Sequence, residues 1–305
     1  MCAFSDIAVI DPGKNKKDFI KNLPEWKKLG IDLITIGLQG PSPFKQYYKK
    51  ARERDRSIDI SFKSSALNSD GSLNKNYFEN IEEIIESAGK SGLYVLLNVL
   101  SASCEDIFED EFAVINGIFN VTELLLEKKF PDIFVNITDI SNTFYKSSVL
   151  NGDKFIKLLQ SVKEKVNKGF YLGAGIKTFS GVSEKNILEY IKLSDFIPVY
   201  ENQTQPGRNT KNILEKIYYF KEKMRETGVN IPIIVIKGDD LSEKYNSYGK
   251  NNMAESLENG ASWCYYDIDG FVIPENHSIN WSKDSSIEKK RFFEVVEKYK
   301  FKQEM

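Results

Sequence analysis

Asp239 and Asp240 close an apolar, β-branched run, Ile231-Pro-Ile-Ile-Val-Ile-Lys-Gly-Asp-Asp240, and adjacent carboxylates after a buried strand can serve as acids, bases or nucleophiles. A third acid, Asp139, stands near the end of a similar run, Ile133-Phe-Val-Asn-Ile-Thr-Asp-Ile140. These and other runs of this kind carry amides, rings and a cation at or near their ends: Gln39, Asn98, Asn136, Tyr200, Asn202, Lys237 and Trp263. The set is rich in carboxylates, amides and aromatics and poor in imidazoles and thiols. Such a set suits sugars. Acids handle glycosidic oxygens, amides bond hydroxyls, and rings stack on sugar faces. Each residue also has a plainer reading. Asp139 can cap a turn, Asp239 and Asp240 can be an acidic loop, Tyr200 a satisfied core hydroxyl, and Trp263 a core ring.

His277 is the only histidine, which nearly excludes His-based zinc sites and Ser-His-Asp triads, and no metal or cofactor is expected. Cys2, Cys104 and Cys264 have no metal spacing, and their odd number argues for reduced thiols rather than a disulfide framework. The N-terminus lacks a basic and apolar leader, so a cytoplasmic location is expected unless a signal preceded residue 1. No segment approaches the ~18–20 apolar residues that span a bilayer. Net charge is −2, with acids and bases interspersed, so neither nucleic acid nor a membrane surface is an expected partner. The expected partner is a carbohydrate or glycoconjugate. Nothing in the sequence fixes an oligomeric state.

These residues need elements to position them. Strands are predicted over 7–10, 31–36, 93–100, 133–140, 170–176, 195–200, 231–236 and 261–266, and helices over 16–29, 74–90, 112–128, 152–167, 184–193, 211–227, 252–258 and 285–300. The run Leu93-Tyr-Val-Leu-Leu-Asn-Val-Leu100 is almost continuously apolar, as expected of a strand covered on both faces. Between the second strand and the next helix, Asn68-Ser-Asp-Gly-Ser-Leu73 carries strong turn chemistry.

Eight strands alternating with helices call for a parallel sheet with right-handed crossovers. With 305 residues and no break in composition, the expectation is a single (β/α)8 TIM barrel spanning 1–305. A doubly wound sheet is the runner-up, but no Gly-x-Gly-x-x-Gly follows the first strand. Gly173-Ala-Gly175 lies within the fifth strand, where tight packing fits better than phosphate binding. In a barrel the site lies at the C-terminal ends of the strands, where the residues named above fall.

Several stretches resemble a group of bacterial glycoside hydrolase-like (β/α)8 proteins related to the cellulase-type clan of retaining glycosidases. They are Leu23-Pro-Glu-Trp26, Leu38-Gln-Gly-Pro41, Asn68 to Leu73, Asn251-Asn-Met253, Ala261-Ser-Trp-Cys-Tyr-Tyr-Asp267, Asn280-Trp281 and Lys289-Lys-Arg-Phe-Phe293. The likeness runs from about Asp18 to Lys298. It implies a general acid/base Glu after the fourth strand, in an Asn-Glu pair that falls on Asp139 and Ile140. It also implies a nucleophilic Glu in an Asn-Glu-Asp-Asp stretch that falls on Lys237-Gly238-Asp239-Asp240, so the nucleophile position is Gly238. The stretch after the sixth strand, His-Gly-Asn-Gly in the family, is Tyr200-Glu-Asn-Gln203 here. Both expected carboxylates are therefore substituted.

Three expectations follow. In the first, the cleft binds a glycan without retaining hydrolysis, using Gln39, Asn98, Asn136, Tyr200, Asn202, Lys237 and Trp263. In the second, displaced acids, Asp139 with Asp239 or Asp240, still cleave a glycosidic bond. In the third, a barrel enzyme of another class uses Lys237 with Asp239.

Overall fold

The computed structural model describes residues 2–8, 12–40, 64–100, 107–130, 132–138, 147–166, 169–175, 183–200, 213–236, 253–265 and 287–304. Eight parallel strands form one sheet: β1 (Cys2–Ala8), β2 (Leu33–Gly37), β3 (Tyr94–Leu100), β4 (Ile133–Thr138), β5 (Tyr171–Gly173), β6 (Ile197–Tyr200), β7 (Ile233–Ile236) and β8 (Ser262–Tyr265). The helices between and after them are α1 (Pro12–Lys28), α2 (Lys75–Lys90), α3 (Glu111–Lys128), α4 (Gly152–Val166), α5 (Glu184–Leu193), α6 (Ile213–Thr227), α7 (253–258) and α8 (Ile287–Glu304).

β1 decides between the two architectures. It pairs in parallel with β2 on one side and with β8, from the far end of the chain, on the other. The strand order is β5-β4-β3-β2-β1-β8-β7-β6, so chain neighbours are sheet neighbours all the way round. That is the cyclic order of a (β/α)8 barrel, not of a doubly wound sheet. Between β5 and β6 the ring is joined by the Asp195 N–H, which donates to the Leu172 carbonyl at 2.7 Å. The Asp195 carboxylate accepts from the Leu172 N–H at 2.9 Å and from Lys163 Nζ at 2.5 Å.

The same seam explains Gly173. A Cβ there would lie 2.6 Å from Cζ of Phe196, whose ring occupies the space. Gly173 is therefore a packing position.

Buried side chains divide by parity along β2, β3, β4, β6, β7 and β8, as a period-two backbone requires. Leu33, Leu96, Phe134, Phe196, Ile234, Ile236 and Cys264 pack with one another inside the barrel. Ile34, Val95, Leu97, Val135, Val199 and Val235 instead join the larger core between the sheet and the helices. Trp26 lies in that outer core, fully buried on α1 with its ring edge-on to Phe19 at 5.1 Å. Helix starts follow the expected capping chemistry. Asn74, Asp110 and Ser183 accept from the backbone N–H groups of Tyr77, Ala113 and Asn186. Among the described residues, no helix is long and apolar enough to cross a membrane.

β1 begins earlier than expected, at Cys2, and ends at Ala8. Its register against β2 shifts between Phe4 and Asp6, as at a β-bulge.

Candidate functional site

Two lumen-facing amides lie one layer nearer the C-terminal strand ends than the apolar plug. Asn98 stands two residues beyond Leu96, and Asn136 two beyond Phe134. Their strands hold them side by side in register, and Asn136 Nδ2 donates to Asn98 Oδ1 at 2.7 Å. Gly37 is in register with Asn98, and Gly173 with Asn136, so the pair is flanked by positions without side chains. Asn136 is fully buried and Asn98 nearly so. A primary amide keeps two donors and two lone pairs, so each of these residues can hold several hydrogen bonds at once.

Beneath them the plug is aromatic. Phe134 meets Tyr94 edge-on at 5.8 Å, Phe196 edge-on at 5.3 Å, and Tyr171 in a stack at 4.6 Å. The amide pair is the polar layer above this floor.

Gln39 is buried just past β2, where its backbone pairs antiparallel with Ser65. The Leu38 N–H donates to the Asn98 carbonyl at 2.8 Å, so the Gln39 segment is tied to the backbone of the amide pair. The Tyr77 hydroxyl donates to the Gly37 carbonyl at 3.3 Å and fixes the turn between them. Two further buried polar residues on these strands were missed by sequence reading. Thr35 donates to Cys264 Sγ at 3.7 Å, across β1, and Thr138 donates to the Gly175 carbonyl at 3.4 Å. Their period-two spacing from Leu33 and from Asn136 was the available signal.

Trp263 is not brought to this site. It is in register with Val235 on β7, and both belong to the outer core between sheet and helices. Cys264, the next residue, faces the lumen. The reading of Trp263 as a stacking ring is thus corrected: alternation points its fully buried side chain away from the cleft. Tyr200 ends β6 with its backbone in register with Ile236. Asp139, Asn202, Lys237, Asp239 and Asp240 lie outside the described residues.

The rim above is organised by the start of α3. The Ser69 hydroxyl donates to Glu109 at 2.6 Å, and the Glu109 N–H donates back to the Ser69 carbonyl at 3.0 Å. Asn120 Nδ2 reaches the Gly71 carbonyl at 2.9 Å. The Glu111 carboxylate accepts from the Ser148 N–H, and the Ser148 hydrogen bonds hold it below the ordinary glutamate range. The turn over 68–73 and the segment at 147–150 are therefore both clamped to one helix start. Among the described residues, no three His, Cys, Asp or Glu side chains cluster as metal ligands would.

No protein-family model and no curated protein matches this sequence. Solved structures share its fold at low identity. The endo-beta-1,4-mannanase from Thermotoga petrophila superposes with a TM-score of 0.62 at 12% identity, covering 98% of this chain and 76% of that one. A glycoside hydrolase family 5 protein from Bacteroides vulgatus gives a TM-score of 0.56 at 14% identity, covering 99% and 67%. The GH5_18 protein from Bifidobacterium longum subsp. longum, in complex with Manb1-4GlcNAc, gives 0.60 at 12% identity, covering 98% and 78%. At such identities the likeness establishes the barrel and nothing finer.

Proposed function

We propose that this protein binds a carbohydrate in the C-terminal mouth of its barrel and does not perform retaining glycoside hydrolysis. The observation that carries the reading is the hydrogen-bonded Asn98–Asn136 pair, an amide layer set above an apolar plug at the working end of the barrel. Amides of this kind suit the hydroxyl groups of a sugar, each of which both donates and accepts. Gln39 extends the amide set beyond β2.

The fold neighbours support the choice of ligand class, because they include a mannanase and a protein bound to a β-linked disaccharide. β-Linked manno- or gluco-oligosaccharides are therefore the first ligands to try. Against hydrolysis stands what the resemblance implies, that the two positions where that family carries glutamate are Ile140 and Gly238 here. Retaining cleavage needs two carboxyls ~5–5.5 Å apart, and neither isoleucine nor glycine supplies one.

The test is a panel of mannobiose, mannotriose, cellobiose and cellotriose, followed by calorimetry for binding and by product analysis for cleavage. Binding without products, weakened at least tenfold by Asn136→Ala, is the expected result. Products that vanish in Asp139→Ala and in Asp239→Ala or Asp240→Ala would replace it with the displaced-acid hydrolase. Products that need Lys237 and Asp239 but not Asp139 would point to a barrel enzyme of another class. Neither binding nor cleavage of any oligosaccharide would overturn the carbohydrate reading.

A further inference from the structure

On the opposite face of the barrel a cavity of about 530 Å³ opens between the C-terminal end of α6, the segment leading into β7, and the turn before β8. Its size falls within the ~300–1,000 Å³ of ordinary small-molecule sites. Met224, Val229, Ile231 and Ile233 give it an apolar floor, and Ile233 and Met224 are themselves buried. Gly228 and Gly260 face open space, since a Cβ on either would meet no atom within 4 Å.

The mouth is basic. Arg225 is exposed there and makes no ion pair among the described residues. The nearby acid Glu226 is engaged by Lys223, at 2.8 Å. Lys221, also at the mouth, is anchored on the Asn259 carbonyl. Carbonyls near the ends of the two helices already accept hydrogen bonds from the turns that follow. Gly228 N–H donates to Arg225, Val229 N–H to Met224, Gly260 N–H to Leu257 and Ala261 N–H to Ser256.

We infer that this cavity is a second ligand site, for a small organic carboxylate with an apolar tail: the tail lies on the Met224–Ile233 floor and the carboxylate pairs with Arg225. A guanidinium fork matches a carboxylate in two parallel hydrogen bonds, which an ammonium cannot reproduce. The site is independent of the carbohydrate reading, because it uses different elements on the other end of the barrel.

The experiment is an amide chemical-shift titration of the full chain with 4-phenylbutyrate, beside its neutral counterpart 4-phenylbutan-1-ol. The expected result is saturable shifts confined to residues 221–233 and 257–261, with the alcohol binding more weakly. Arg225→Gln, an exposed change that spares the floor, should weaken the carboxylate about tenfold, the loss of one charged hydrogen-bond pair, and leave the alcohol unchanged. Val229→Trp, which fills the cavity, should weaken both. Absent or non-saturable shifts, shifts centred elsewhere, an alcohol that binds as tightly as the acid, or an Arg225→Gln protein with unaltered affinity would each overturn the assignment.

Discussion

Replacing Gly173 with alanine tests whether the barrel's seam and floor are locked as the geometry implies. The new Cβ would sit 2.6, 2.7 and 2.9 Å from three atoms of the Phe196 ring. Carbon atoms rest at ~3.5–4.0 Å, so one partner must retreat by roughly 1 Å. Phe196 has little freedom to do so, being fully buried and edge-on to Phe134, which is itself stacked on Tyr171. The backbone is held as well, by the hydrogen bond from Asp195 N–H to Leu172. Overpacking of this kind costs about 1–3 kcal/mol. Without the clash the sign would reverse, because Gly→Ala at a compatible backbone stabilises by about 0.4–1 kcal/mol. Gly89, near the end of α2 with nothing within 4 Å of a built Cβ, supplies that control. Urea unfolding of Gly173→Ala, Gly89→Ala, Phe196→Leu and the Gly173→Ala/Phe196→Leu pair gives a double-mutant cycle. The expected outcome is a lower midpoint for Gly173→Ala, a raised one for Gly89→Ala, and a double variant more stable than the sum of its parts by at least ~0.5 kcal/mol. A Gly173→Ala protein as stable as wild type, or strict additivity in the pair, would refute the reasoning.

Three further outcomes follow from the packing and hydrogen bonds described above. Gly71→Ala should be worse than Gly173→Ala, because at φ +82° its Cβ would meet the Ala113 carbonyl oxygen at 2.1 Å and the Gly117 nitrogen at 2.8 Å, both backbone. The turn should then detach from α3, read as loss of hydrogen-exchange protection at the Asn68 and Gly71 amides; retained protection would contradict the clamp. Trp263→Ala should cost ~3–5 kcal/mol as a large-to-small core change, yet leave any sugar affinity of the folded fraction intact, since the ring faces the helices. Calorimetry at a temperature where the variant remains folded decides it. Glu111→Gln should flatten the acid limb of stability. The folded Glu111 carboxyl lies below its ordinary value of 4.5, so its contribution is present above that pH and lost as pH falls through the folded value. Thermal midpoints from pH 7 to 3 should therefore converge between variant and wild type at the acid end; a constant gap would count against the Ser148 contact as its origin.

The barrel was legible because its evidence is distributed. Helices announce themselves by an apolar face, as with Phe78, Ile81, Ile84 and Ile85 on α2, and strands by short apolar runs, β-branched in β2, β4 and β7. Ends were less legible. The fifth strand was expected over 170–176 and proves to be Tyr171–Gly173, and the sixth was expected from Asp195 and starts at Ile197. Both differences sit at the seam, where Asp195 uses its side chain and its own N–H to join the ring. A carboxylate acting as a backbone acceptor leaves no periodic trace.

The site was harder for a related reason. On strands covered by helices outside and a plug inside, both faces are apolar, so alternation cannot say which face is the lumen. For β3 and β4 the amides break the tie, because Asn98 and Asn136 interrupt one parity only. For β8 nothing breaks it. Trp263 and Cys264 are equally at home in a core, and only the register with Val235 shows that the ring turns outward. The consequence is chemical. With Trp263 removed from the cleft and the plug ring of Phe196 pinned against Gly173, the described part of the mouth offers hydrogen bonds from amides rather than an aromatic wall. Recognition built on paired amides depends on hydroxyl geometry, so it should separate epimeric sugars more sharply than a stacking surface would. Mannobiose and cellobiose differ in the orientation of their 2-hydroxyls, and a marked affinity difference between them, abolished together with binding by Asn136→Ala, is what an amide-based site requires.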